Sequence, residues 1–197
     1  MNFGFNINTY VLVTGIVLSA IGCIFILKVN WKQYGLLFFI SAVTGELLCY
    51  FFIKAGLYSF PYRLFPLLSP MPFTLILTMF PFYVLFAVRF SPHRWAYKIP
   101  FYWVLVHIGM FGEVIMQNFT QVIKYKKSWD TWDSYTWWWI FLLIFELVGG
   151  LLVSQENRKP IDESLLKYGK IGWFIIHFIL ISTIFLAGFY LGIKTIK

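Results

Sequence analysis

The stretch TYVLVTGIVLSAIGCIFILK, Thr9–Lys28, meets its first charge only at its last residue, and QYGLLFFISAVTGELLCYFFI, Gln33–Ile53, follows after a short polar break. Each is close to the ~20 residues a helix needs to cross the hydrocarbon core at about 1.5 Å per residue. A lipid-exposed span must satisfy its own backbone hydrogen bonds, which selects helix for both. Further along the chain lie four more apolar segments of similar length: Met71–Phe90, Pro100–Phe119, Tyr135–Ser154 and Ile171–Ile193. The pattern predicts an all-α integral membrane protein, a single transmembrane domain over residues 1–197 built as a bundle of about six transmembrane helices.

Composition agrees. Apolar residues make up 60% of the chain and charged residues 12%, against about 45–50% and about 25% in soluble domains, so the polar surface of a soluble fold could not be covered. Six spans with short connections use up the length, and any function must reside in the spans and their loops. No Lys or Arg precedes the first span, so it is expected to be a retained helix and not a secretory signal. The formal charge of +8 is spread between the apolar runs. It forms no basic stripe, which argues against nucleic acid and for membrane lipids as partners. Cys23 and Cys49 fall at opposite depths, about 15 Å apart at helical rise, too far for a disulfide.

Pro61, Pro66 and Pro70 precede the third span, which itself contains Pro72 and Pro81. Residues 56–70 are therefore expected to form an irregular or re-entrant connection, with a kink near Pro81. Lys28 and Lys32 flank the first turn, and the 90–99 and 155–170 loops carry His93, Arg94, Lys98, Arg158, Lys159, Lys167 and Lys170. By the positive-inside tendency these face the cytoplasm, which puts the N-terminus outside. Pro160 followed by Asp162, Glu163, Leu165 and Leu166, with Gly169 at the end, predicts a short interfacial helix. The run SWDTWDSYTWWW, 128–139, suits an aromatic belt at headgroup depth.

Glu46, Glu113 and Glu146 lie inside spans, where an ionisable side chain costs about 2.5–3.5 kcal/mol on insertion scales and marks a functional site by default. Gly45, Gly112, Gly149 and Gly150 beside them would allow close helix approach. With His107, His177 and Gln117, which stands one turn from Glu113, these acids are candidates for a polar interior, arranged by depth as a proton or cation path would be. No metal site is expected, because the candidates come from separate helices and no HExxH-type spacing occurs. No cofactor motif is present either: there is no GxxxxGK[ST], no GxSxG and no Gly-rich dinucleotide turn. No Lys lies deep in a predicted span, which excludes a Schiff base of the retinal type.

Two segments carry a resemblance. GLYSFPYRLFP, Gly56–Pro66, and VIKYKKSWDTW, Val122–Trp132, with an intramembrane Glu113 between them, resemble a family of small multipass membrane proteins of unknown function from spore-forming Gram-positive bacteria. That family has a Y-x-x-P-x-R-x-x-P-like connection and an I-x-Y-K-K-x-W segment. The resemblance covers roughly the middle half of the chain and does not extend to Glu146 or the last span. It implies a bacterial plasma membrane and a fixed outer connection built on Tyr58, Pro61, Arg63 and Pro66. Arg63, Lys124, Lys126, Lys127, Trp129 and Asp130 become candidate lipid or ligand contacts on the outer side.

The leading expectation is a small transporter, channel or ligand-binding membrane protein with intramembrane carboxylates. A structural or assembly protein without transport activity is the alternative, and an intramembrane lipid-modifying enzyme a third. No nucleophile stands out, so an enzyme is the lesser expectation. Small residues such as Gly15 and Ser19 leave room for a homo-oligomer or a partner membrane protein.

Overall fold

The computed structural model describes residues 4–126, 129–162, 164 and 169–196. Its helices are α1 (Ile7–Leu27), α2 (Trp31–Lys54), α3 (Phe73–Phe90), α4 (Trp95–Phe119), α5 (Thr131–Leu152) and α6 (Gly169–Ile196), with two short strands, β1 (Tyr58–Ser59) and β2 (Lys124–Tyr125), in the connections. The first five helices are long and apolar enough to cross a membrane. Large apolar side chains such as Leu18, Phe39, Phe111 and Leu151 are exposed on their outer faces, as lipid contact requires and water would not tolerate. The chain is thus an all-α protein with the pattern of a multipass membrane protein. The sixth helix, α6, exposes Ile171, Phe174, Phe178, Ile181 and Phe185.

Polar side chains set the helix starts. Asn6 and Asn30 cap α1 and α2 by accepting from the backbone N–H of Thr9 and Gln33, and Asp130 and Asp133 form a reciprocal capping box at α5. The fourth helix begins at Trp95, five residues before the expected Pro100. Tyr97 and Lys98 donate to the Arg94 carbonyl, and the helix runs on through Pro100, its sixth residue, at the loss of one backbone bond. Lys98 thereby moves from the loop, where the sequence reading had it, into the first turns of a helix. Gly169 opens α6, at φ +51°. Residues 159–162 are non-helical, and Glu163, Leu165, Leu166 and Lys167 of the expected interfacial helix lie outside the described residues.

The third helix is the axis of the bundle, packed against α1, α2 and α5. It runs unbroken through buried Pro81, and Val84, Leu85, Ala87 and Val88 are all but fully enclosed. Glycine permits this closeness. A Cβ on Gly22 would stand 2.3 Å from the Phe82 ring, and one on Gly149 would stand 2.4 Å from Val88. Ser19 on α1 donates to Thr78 Oγ1 on α3 at 2.8 Å, an interhelical bond of the kind that holds membrane helices together without a hydrophobic drive.

The proline-rich connection is a folded cap at one end of the bundle, with α3 a complete helix behind it. Tyr58 and Ser59 pair antiparallel with Tyr125 and Lys124, Lys126 N–H donates to the Leu57 carbonyl, and Tyr62 N–H donates to that of Gln121. Positive φ at Gly56 (70°) turns the chain out of α2 into β1. The start of α1 is tied in as well: Thr9 Oγ1 and the Tyr62 hydroxyl are 2.6 Å apart, and Asn8 Oδ1 accepts from Gln121 N–H at 2.7 Å. The two segments that carry the family resemblance are therefore hydrogen-bonded partners.

Candidate functional site

Glu113 stands on α4 six residues before its end, just beneath the cap. Its Oε1 accepts from the hydroxyls of Tyr125 (2.7 Å) and Ser134 (2.7 Å), and Oε2 accepts from Trp138 Nε1 (2.9 Å). Trp129 Nε1 donates to Ser134 Oγ at 2.9 Å, so the serine passes on the bond it receives. All of these groups are neutral donors, and the carboxyl acts purely as an acceptor, as an ionised carboxylate does. Among the described residues no ion pair reaches it.

Three elements build this arrangement. The fourth helix presents Glu113. The capping box at Asp130 fixes the first turn of α5 so that Ser134 and Trp138, one turn apart, share a face toward it. Strand pairing delivers Tyr125 from β2. Gly109 completes the fit, because its missing side chain leaves room for the Trp138 ring, which would lie 3.2 Å from a Cβ there. The Gly112 expected to serve this purpose faces open space.

Beside Glu113 is a cavity of about 110 Å³, walled by Cys49, Phe52, Tyr58, Trp129, Trp137 and Trp138 among others. The rings support one another: Phe52 meets Trp137 edge-on at 4.9 Å and Trp129 at 5.0 Å, and Tyr58 meets Trp129 edge-on at 5.7 Å. Burial, reinforced by the neighbouring Cys49 and Glu113, raises the Tyr58 phenol well above its usual range. Burial and the Glu113 charge do the same for Tyr125. Both phenols therefore stay protonated, and Tyr125 stays a donor to Glu113, far into the alkaline range.

At the opposite end of the bundle Glu146, 2% exposed, has a different environment. It accepts from the Tyr102 hydroxyl at 2.6 Å, and it pairs with Lys98 and with Arg158 Nη1, the latter at 3.5 Å. Around it the chain after α5 is stitched under the bundle. Tyr34 Oη and Arg89 Nη1 donate to the Asn157 carbonyl, Asn157 Nδ2 donates to Gln33 Oε1, and Lys159 N–H donates to the Arg89 carbonyl.

The candidate residues thus separate. Tyr102, a partner of Glu146, lies eleven residues before Glu113 on α4, about 16 Å along the axis, so the two acids do not share one polar interior. Glu46, on α2 one turn before Cys49, has Oε1 buried and unpartnered. His107 is exposed and bonded within its own helix to the Trp103 carbonyl, and partly exposed His177 bonds likewise to that of Trp173; neither joins an acid. Gln117 offers its carbonyl to Lys124 Nζ at 2.8 Å; its amide does not pair with Glu113. Arg63 Nη1 donates to the Phe60 carbonyl and holds the loop, while Lys126 is exposed on the cap. Trp129 lines the cavity and Asp130 caps α5. Lys127 lies outside the described residues. Among the described residues no group of His, Cys, Asp and Glu is placed to hold a metal ion.

Ser134 and Trp138 around Glu113 and Tyr102 beside Glu146 carry no signal in the sequence; Tyr125 stood out there only as part of the Val122–Trp132 segment, and Lys98 and Arg158 only as basic loop residues. The chain matches no family model, no curated protein and no solved structure.

Proposed function

We propose that this is a small ligand-binding or transport protein of the bacterial plasma membrane whose site is the aromatic cavity beside Glu113. One observation carries the proposal: an acceptor-only carboxylate on a helix long and apolar enough to cross a membrane, held by three neutral donors, faces a preformed space that side chains do not fill. Pockets with mostly apolar walls and a few converging polar groups are where small ligands bind. The family resemblance of the two cap segments supports the bacterial membrane, and the basic turns at the far end support an N-terminus outside, with the cap on that side. Membrane lipids are its surroundings, and the exposed apolar side chains of α6 suit a second copy or a partner membrane protein.

A structural role has a specific support of its own, at Glu146. There the acid is matched by two cations and fastens a loop, which is what packing alone requires.

Full-length protein in phosphatidylglycerol nanodiscs tests the proposal by titration with small amphipathic amines, alcohols and acids, read by tryptophan emission. A saturable change is expected for at least one probe, lost in Met116→Phe, which fills the cavity from its wall. Melting of that variant near the wild-type temperature is the control for folding. A flat response to every probe, or one indifferent to the filling, would overturn the proposal.

A further inference from the structure

We infer that the Glu113 cavity is built for an organic cation carrying no N–H donors of its own, a trimethylammonium-type headgroup. This rests on the ligand-binding function proposed above and names its ligand class.

Charge comes first. The three donors to Glu113 spread its charge without cancelling it, and among the described residues no cation stands in ion-pair contact with it. Lys124, the basic residue of β2, spends its ammonium on the Gln117 carbonyl. An uncompensated carboxylate in a low-dielectric site attracts a cation and repels anions strongly.

The walls select the kind of cation. Phe52, Tyr58, Trp129, Trp137 and Trp138 line the space, and aromatic faces carry negative potential that attracts quaternary ammonium groups. The donors around Glu113 are already committed. Trp129 Nε1 is committed to Ser134, and Ser134 Oγ and Trp138 Nε1 are committed to Glu113. These groups have no donor to spare for a carboxylate, a phosphate or a sugar. The carboxylate has about four acceptor sites and three are taken, so a primary ammonium, which needs three acceptors, would go unsatisfied. A methylated nitrogen needs none. The size agrees: about 110 Å³ is well under the ~300 Å³ or more of a drug-sized pocket, and it suits a headgroup. Trp137, 36% exposed, brings the cavity wall to the bundle surface.

The test sets choline against 3,3-dimethylbutan-1-ol, its neutral isostere with carbon in place of nitrogen, in phosphatidylglycerol nanodiscs. Choline is expected to bind about tenfold or more tightly than the alcohol. E113Q should erase that preference by weakening choline far more than the alcohol. W137L removes one ring without touching the hydrogen bonds of Glu113 and keeps the test open should E113Q fail to fold; it should narrow the preference for choline about threefold. Replacing the nanodisc lipid with phosphatidylcholine separates two sources. Competition with free choline assigns a lipid headgroup, and unchanged affinity assigns a dissolved cation. Equal binding of the isosteres, or saturable binding only of neutral or acidic probes, overturns the cation inference and leaves the cavity a ligand site. Absence of any saturable binding overturns both.

Discussion

Glu113, half-buried, and Glu146, fully buried, are acids near the two ends of one helical bundle, and their surroundings differ most in charge. Glu146 meets Lys98 and Arg158, whereas among the described residues Glu113 meets neutral hydroxyl and indole donors. At Glu146 the site is closed. Charge meets charge, and the loop after α5 is fastened to the ends of α2, α3 and α4. At Glu113 hydrogen bonds are satisfied, charge is not, and a cavity lies alongside. A buried carboxylate with cations of its own is framework, and a half-buried one with no cation partner among the described residues, beside a cavity, is a place for something else to bind.

The sharpest way to break this comparison is to neutralise each acid. Glu146→Gln strands two cations in the bundle and should lower stability by about 3–5 kcal/mol, the cost of breaking a buried ion pair from one side. Glu113→Gln strands no charge and should cost about 1–2 kcal/mol in weakened hydrogen bonds. Denaturation of both variants in detergent checks this, and a larger loss at Glu113 would reverse the assignment of framework and site.

Adding one methyl group at each end should give a smaller contrast. Gly149→Ala, one turn from Glu146, drives a Cβ to 2.4 Å from Val88 of the central helix and should cost about 1–3 kcal/mol. Gly109→Ala places its Cβ 3.2 Å from the Trp138 ring, which can yield a few tenths of an ångström; little stability should be lost while ligand affinity falls. Melting and titration of the same two proteins separate these outcomes.

Alkali should loosen the cap end. The Tyr58 and Tyr125 phenols are raised in the folded protein by burial, so they hold protons that the unfolded chain releases above its ordinary value of about 10. Their contribution is complete below about pH 10 and is lost as pH climbs beyond it. Unfolding followed from pH 8 to 12 should show that decline, less steep in Tyr125→Phe.

The smallest effect is expected at Glu46, whose Oε1 is buried without a partner. Removing the cost of that group by Glu46→Leu should raise stability by about 1 kcal/mol; a drop would mean that Glu46 makes a contribution like that of Glu146.

Much of the fold was legible in the chain. Long uncharged runs such as Thr9–Lys28 specify helix by themselves, because each span must close its own backbone hydrogen bonds. The N-caps at Asn6 and Asn30 and the turn at Gly56 are just as local, but they emerged only with the structure. A local signal misled at one boundary. Pro100 marked a start that lay five residues earlier, because α4 runs on through the proline at the loss of one backbone bond.

The sequence by itself determined that apolar helices dominate the chain and that Glu46, Glu113 and Glu146 lie within them, since hydropathy and spacing are properties of neighbouring residues. Only the tertiary structure decided which acid is framework and which is site. Lys98 and Glu146 are 48 residues apart, and Glu113 and Trp138 are 25 apart. No periodicity links residues so far apart on different helices. Their pairing follows from the packing of α3, α4 and α5 and from the strand pairing that closes the cap, because a side chain's partners are set by which helix faces meet.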